Sequence, residues 1–167
     1  MKLVFGGLLA MGALCAQDLL VKDAQGQWKQ ASTNVLKAAH KMPAEKYDYK
    51  ASPEVRTFGG FIGHVADAGV MFCAAAAGEK KTPPGAEKTM KTKETLVAAL
   101  TESIAYCDKV YAGVTGASAL ETVKFFGQDR TRAGVLFFNN MHTYEHYGNI
   151  VTYMRSNGLV PPSSEPK

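Results

Sequence analysis

The chain has 167 residues, of which 46% are hydrophobic and 20% charged, and its formal net charge is +4. This length and composition fit one globular domain with a buried core and exclude a disordered chain. The basic residues are scattered and form no stripe with interleaved aromatic residues, so we expect no nucleic-acid partner.

The first sixteen residues differ from the rest of the chain. Lys2 is followed by an uncharged, mostly apolar run that ends at Ala16. A bilayer span takes about 20 residues, so this shorter run is instead typical of a secretory signal peptide. We therefore expect a signal peptide at 1–16, a mature domain at 17–167, and a secreted or periplasmic protein.

Two other interpretations of this segment are weaker. A lipoprotein anchored through Cys15 is disfavoured because Leu14 is larger than the small residue that lipoprotein processing usually requires. A buried first helix is disfavoured by the glycines in the run, which destabilise helix interiors. No other segment reaches transmembrane length, so we expect no stable membrane span.

Four stretches carry apolar residues at the three- and four-residue spacing of amphipathic helices, and no stretch has a convincing strand pattern. The first ends near Met42, because the residue before a proline leaves the helical region. Thr57 is a plausible N-cap of the second helix, which runs to Gly78, and Asn157-Gly158 is a good C-terminal stop for the fourth. The predicted helices cover about residues 24–42, 57–78, 92–112 and 131–157. These elements predict an all-α four-helix bundle.

The connector at 79–91 contains Pro83-Pro84-Gly85 and is predicted to be a loop. A short turn would suffice to join antiparallel helices, whereas thirteen extended residues reach about 43–47 Å, enough to return along a helix. The length therefore favours a crossover that makes the second and third helices parallel. Cys73 and Cys107 would then lie at nearly the same height and could form a disulfide. Two buried free thiols remain the alternative.

His142 and His146 are four residues apart on the fourth predicted helix, so both imidazoles lie on one face within reach of one ion. Alone, this spacing is a weak signal, because such pairs are often polar residues at a helix edge. Asn139, Asn149 and Tyr153 lie near the same direction, and buried polar groups need partners. His64 stands on the most apolar helix, where its small neighbours leave space beside the ring.

Two segments carry a family resemblance. Residues 56–67, Arg-Thr-Phe-Gly-Gly-Phe-Ile-Gly-His-Val-Ala-Asp, resemble the second-helix segment of the DinB-like family, and residues 142–149 with 153–158 resemble its fourth-helix signature. The resemblance implies a four-helix bundle with a crossover and a metal held by His64, His142 and His146. The family name implies neither a polymerase nor DNA binding.

Three imidazoles would leave coordination positions open for water or substrate, and they suit divalent ions such as Zn, Ni or Fe. We expect Asn139, Asn149 and Tyr153 to line the pocket. Asp67 and Glu145 could orient imidazole N–H groups, although a solvated or salt-bridge role fits them as well. His40 is expected to be an ordinary cation near a helix C-terminus.

Two functions fit these expectations. The first is a metal-dependent hydrolase or transferase that acts on a small molecule, with a tri-histidine site and an unknown general base. The second is a non-catalytic secreted protein that binds a metal or a small ligand. A carboxylate or tyrosine aimed at the site would favour the enzyme. The sequence leaves a homodimer open.

Overall fold

The computed structural model describes the backbone of residues 5–166 and the side chains of residues 17–166. The predicted signal peptide at 1–16, with Cys15, therefore lies outside the residues whose side chains are described. The backbone of residues 5–16 belongs to the first helix. Cleavage after Ala16 stays a prediction.

The described chain is mostly helical, and four long helices form a bundle, as predicted. Two one-turn α-helices, a 3-10 helix at Ala44–Lys46 and a two-stranded hairpin connect them, and a second 3-10 helix, Pro162–Ser164, follows the last long helix. In chain order the elements are α1 (Phe5–Lys41), α2 (Phe58–Ala77), α3 (Ala86–Thr89), α4 (Lys93–Gly113), α5 (Gly116–Ala119), β1 (Thr122–Phe125), β2 (Gln128–Thr131) and α6 (Arg132–Ser156).

Local capping signals set the ends of the long helices. The hydroxyls of Thr57, Thr92 and Thr131 each accept a hydrogen bond from a backbone N–H three residues later, at the starts of α2, α4 and α6. Gly78 ends α2 in the left-handed region with a φ of 74°. The predicted N-cap at Thr57 is confirmed, and so are the predicted helix starts near Thr92 and Thr131 and the end of the second helix at Gly78.

The second and third long helices, α2 and α4, run parallel, which confirms the crossover. The hydroxyl of Ser103 donates to the Ala66 carbonyl over 2.8 Å. Further along both helices, the Cα atoms of Cys73 and Cys107 lie 5.5 Å apart, at disulfide distance. The crossover loop contains the one-turn helix α3, which the sequence analysis treated as irregular.

The sequence analysis predicted no strands, and this was wrong for residues 122–131. There β1 and β2 pair antiparallel, with Phe125 opposite Gln128 and a two-residue turn at Phe126-Gly127. The signal was weak because most of the strand residues are exposed, so no alternation between a core face and a solvent face is visible. The hairpin lies against the start of α6 and against α2.

Helix α2 also corrects an expectation about length. Among the described residues, Phe58–Ala77 is long and apolar enough to cross a membrane, whereas the sequence analysis found no further segment of that length. However, 67% of the apolar 18-residue stretch of this helix is buried inside the bundle. Core helices pass the same test of length and composition, so this helix is weak evidence for a span.

Candidate metal centre

Three histidines from two antiparallel helices meet near the surface of the bundle. The Nε2 atom of His142 lies 3.2 Å from the Nε2 atom of His64 and 3.1 Å from that of His146. One nitrogen from each ring can be chosen so that all three lie within 4.8 Å of one another. The structure therefore brings together the three residues that the sequence analysis selected as ligands.

Protons alone satisfy this arrangement poorly. His64 directs its Nδ1 atom to the Glu87 carboxylate over 2.8 Å, so its Nε2 atom faces the cluster as a lone pair when the ring is neutral. The Nε2 atom of His142 faces the Nε2 atoms of both His64 and His146. A single proton on it can form a good hydrogen bond to only one of them, which leaves the other pair of nitrogens facing each other. A cation bound by all three lone pairs removes this conflict, and ligands about 2.0–2.1 Å from a tetrahedral ion lie about 3.3 Å apart.

The surroundings keep two of the rings neutral. Burial, reinforced by the neighbouring histidines, lowers the pKa of His142 and of His146 to about 4. The ring of Phe61 packs against His146, and the ring of Phe72 packs edge-on against His142. At neutral pH these imidazoles therefore present lone pairs, which metal coordination requires.

Glu87 orients the third ring, and the sequence analysis missed this residue. Its carboxylate accepts from His64 and is paired with Arg56, whose Nε atom lies 2.7 Å from Oε1. Burial opposes ionisation of Glu87, but the hydrogen bonds from Arg56 and His64 outweigh it and hold the pKa of the carboxyl below its usual range. Carboxylate partners of this kind commonly fix the tautomer of a metal-binding histidine.

Two features of α2 bring Glu87 to this position. The Asp67 carboxylate accepts hydrogen bonds from the backbone N–H groups of Ala86 and Glu87, at 2.8 and 3.0 Å, and so fastens the start of α3. Gly63 allows the close approach, because a Cβ atom there would lie 2.7 Å from backbone atoms of Glu87. Asp67 thus acts on His64 through α3 and makes no hydrogen bond to the described imidazoles.

Of the other predicted site residues, Asn149 contacts one of the histidines, whereas Tyr153 and Glu145 make no side-chain hydrogen bond to them. Asn149 is exposed, and its Nδ2 atom lies 3.3 Å from the Glu145 carbonyl and 3.4 Å from Nδ1 of His146. The Tyr153 hydroxyl donates to the Arg56 carbonyl over 2.7 Å. Glu145 is exposed and has no side-chain hydrogen bond to the described histidines. Their role as pocket-lining or orienting residues stays a prediction.

Asn139 belongs to a second polar cluster, buried behind the histidines. Its Nδ2 atom donates to the Tyr111 hydroxyl over 3.2 Å and lies 3.6 Å from Sγ of Cys73. The Tyr111 hydroxyl in turn contacts the Asn140 carbonyl oxygen Oδ1 at 2.7 Å, and Asn140 donates to the Ala24 carbonyl. This buried amide cluster, Tyr111, Asn139 and Asn140, ties α1, α4 and α6 together.

The donor set fits a divalent metal. Three convergent, neutral imidazole nitrogens suit borderline ions such as Zn and Ni, and no thiolate belongs to the group. The side chain of His64 is 23% exposed, so the cluster is open on one side to small molecules. The residues alone do not discriminate among the ions that imidazole binds.

Solved structures with the same fold include several DinB-like proteins. One, from Bacillus cereus ATCC 10987, has a TM-score of 0.73 and 16% identity, over 84% of this chain and 95% of that chain. Another, from Bacillus subtilis, has a TM-score of 0.67 and 14% identity, over 87% and 99%. A mycothiol-dependent maleylpyruvate isomerase is also similar, with a TM-score of 0.63 and 15% identity, over 78% of this chain and 60% of the isomerase.

No match was found among curated proteins. The family model of the DinB superfamily matches residues 27–150, which include all three histidines, Glu87 and the crossover. This match covers most of the chain and agrees with the fold and with the metal-compatible cluster. The chain therefore belongs to the DinB superfamily.

Proposed function

We propose that residues 17–167 form an exported metalloprotein that binds one divalent ion through His64, His142 and His146 and acts on a small molecule as a hydrolase or transferase. The convergence of the three Nε2 atoms carries this proposal, since a cation shared by them would accept lone pairs that otherwise face one another. Membership in a metal-binding superfamily supports it.

When bound at an imidazole site with open positions, a divalent ion polarises a substrate and lowers the pKa of a water or thiol. The chain's own residues prepare the site for this. Glu87 holds the proton on Nδ1 of His64 and keeps Nε2 available. The rings of Phe61 and Phe72 shield His146 and His142 from water, while His64 borders the open side.

One observation favours the second function, a non-catalytic binding protein. The acidic and phenolic groups brought to the site are already engaged: Asp67 holds α3, Glu87 holds His64, and the Tyr153 hydroxyl donates to a backbone carbonyl. A general base must be free to take a proton from the substrate or water. None of these three groups is free in that sense, so the choice depends on measured turnover.

The similarity in fold to a mycothiol-dependent isomerase supports including thiol chemistry among the reactions tested. Export argues against it, because small free thiols are scarce in oxidising compartments. We therefore favour hydrolysis or a thiol-independent transfer.

Elemental analysis followed by an activity screen tests the metal and the reaction separately. Wild-type protein should retain about one equivalent of divalent metal, and ester, amide and thiol-transfer substrates should then be assayed with the loaded and the chelated protein. Turnover that disappears on chelation supports the enzyme. Metal retention without turnover across the screen supports the binding protein, and protein that retains no metal contradicts the metal-dependent enzyme and the metal-binding form of the second function.

Export has its own test. Asp18, two residues beyond the proposed cleavage point, accepts from the Gly116 backbone N–H over 3.0 Å, and this hydrogen bond involves none of residues 1–16. Mass spectrometry of protein recovered from the cell envelope or medium should show an N-terminus at Gln17. An intact Met1 would contradict export by cleavage, and a lipid on Cys15 would indicate the lipoprotein.

A further inference from the structure

Phe126, at the tip of the β1–β2 hairpin, is an unfavourable residue for its position. It has a φ of 49° and is followed by Gly127 at 77°, as in a type I′ turn. Asn, Asp or Gly adopts this conformation most easily, and a bulky side chain there is an outlier. The ring is also 68% exposed. Stability therefore does not explain a phenylalanine here, and strained exposed residues cluster at functional sites.

The ring completes an aromatic wall beside the histidines. It lies 4.3 Å from the ring of Phe125, 6.1 Å from Phe72 and 6.3 Å from Phe138, measured between centroids. Phe72 and Phe138 both contact the ring of His142. The wall thus extends from the proposed metal centre to the hairpin.

A cavity of about 330 Å³ lies between the hairpin and the first turns of α6. Its lining includes three phenylalanines, one glycine, one glutamine and one arginine: Phe125, Phe126, Gln128, Arg130, Gly134 and Phe138. Gly134, Phe138 and His142 are spaced four residues apart on α6, so they lie along one face of the helix. The cavity and the histidines are therefore neighbouring parts of one surface.

Arg130 gives this cavity a positive charge. Its guanidinium donates to the Gln128 side chain over 2.9 Å, whereas the adjacent Asp129 is paired with Lys124. Within the described part of the chain, Arg130 takes part in no ion pair. An arginine with unused donors beside aromatic rings suits a carboxylate, sulfonate or phosphate attached to an apolar group.

We propose that the Phe126–Arg130 pocket, comprising the six lining residues above, binds the apolar part of an anionic small molecule and presents it to the metal centre. The inference rests on the proposed function, since it defines the substrate class of that site: an aryl or branched hydrocarbon group that carries an acid. The strained hairpin tip holds one wall of the pocket in place.

Fluorescence titration with 8-anilinonaphthalene-1-sulfonate, an aromatic anion, tests the pocket on the mature protein. One saturable site is expected, and 3-phenylpropionate should displace the probe while phenethylammonium should not. Phe126→Ala should weaken binding about tenfold, because an aromatic anchor is lost. Arg130→Gln should weaken it about threefold, as expected for an exposed charge pair. Met141→Ala, which removes an exposed apolar side chain outside the pocket, should bind as wild type does.

Phe126→Asn separates a binding role from a structural one. Asparagine suits the turn, so this variant should melt no lower than wild type and yet bind the probe as weakly as Phe126→Ala. A lower melting temperature with unchanged probe binding would overturn the proposal, as would equal displacement by anionic and cationic competitors. Metal content is measured on the same samples. Wild-type protein that binds the probe as expected but retains no metal would contradict the proposed function and leave the pocket standing. Phe126→Ala protein with full metal content and unchanged probe binding would contradict the pocket and leave the metal centre standing.

Discussion

Helix α6 directs two polar groups of side chains into the bundle, and the two are satisfied in different ways. In the buried amide cluster, hydrogen bonds join Tyr111, Asn139 and Asn140 to one another and to backbone carbonyls, and among the described residues Asn139 Oδ1 is the one buried side-chain oxygen left without a partner. In the histidine cluster one turn further, His142 and His146 turn nitrogens toward each other and toward His64.

The difference distinguishes a structural polar group from a functional one. Apart from Asn139 Oδ1, the polar atoms of the amide cluster pair donor with acceptor, and these hydrogen bonds contribute to stability without a ligand. The histidine cluster places like atoms face to face, at a partly exposed position, and could hold a cation between them. The first cluster should therefore respond to mutation in the free energy of unfolding, and the second in metal affinity.

The largest effect is expected for His142→Ala. This variant removes the central one of three proposed ligands, so metal affinity should fall by about a thousandfold or more, since loss of an orienting partner alone typically costs 10–100-fold. Elemental analysis and chelator competition measure the effect, and circular dichroism should show a folded protein. His64→Ala and His146→Ala should behave alike. His40→Ala is the matched control and should retain the metal; retention by His142→Ala would remove His142 from the ligand set.

The cysteine pair adds a second test of stability against metal affinity, because Cys73 contacts the amide cluster through Asn139 and neither cysteine belongs to the histidine cluster. Replacing both Cys73 and Cys107 with alanine should lower the free energy of unfolding by about 3–4 kcal/mol, from the loop entropy of a 34-residue separation. Metal content should not change. Thiol counting on the mature chain under denaturing, non-reducing conditions decides whether the bond forms, and two free thiols per chain would exclude it.

Asn140→Ala should break the amide cluster alone. It removes the Asn140 amide from the buried Tyr111 hydroxyl and from the Ala24 carbonyl and leaves a small cavity, at a cost of about 2–3 kcal/mol in the free energy of unfolding. Denaturant titration measures this loss, and metal affinity should remain that of wild type. Asn149→Ala, an exposed amide on the same helix, should change stability by less than about 0.5 kcal/mol. Equal effects of the two variants would contradict the structural role of Asn140.

The smallest effect is expected for Glu87→Gln, which keeps the shape of the side chain and removes its charge. The amide has one acceptor oxygen where the carboxylate uses two, for Arg56 and for His64, so the hold on the His64 tautomer should weaken and metal affinity should fall about 10–100-fold with stoichiometry unchanged. Glu79→Gln serves as the control, because Glu79 lies in the same connector and its carboxylate accepts from Tyr106 instead. An unchanged affinity in Glu87→Gln would show that the charge of Glu87 does not contribute to metal binding through His64.

Much of the fold follows from local sequence signals. Three threonine caps and one glycine stop act within a single helical turn, so they could be recognised without tertiary information. The spacing of His142 and His146 is likewise a property of one helix. His64 required the resemblance to a family as well, because a single histidine on an apolar helix carries little information.

The sequence by itself therefore determined the four helices, their order and the pairing of His142 with His146, because these depend on contacts between residues a few positions apart. Only the tertiary structure decided which partners the other polar side chains have. Glu87 reaches His64 across 23 residues because Asp67 fastens α3 and Gly63 leaves room for it. Asn139 donates to Tyr111, a partner 28 residues away on α4. Local patterns do not encode such pairings, since each depends on how the crossover packs α3 and α4 against α2 and α6.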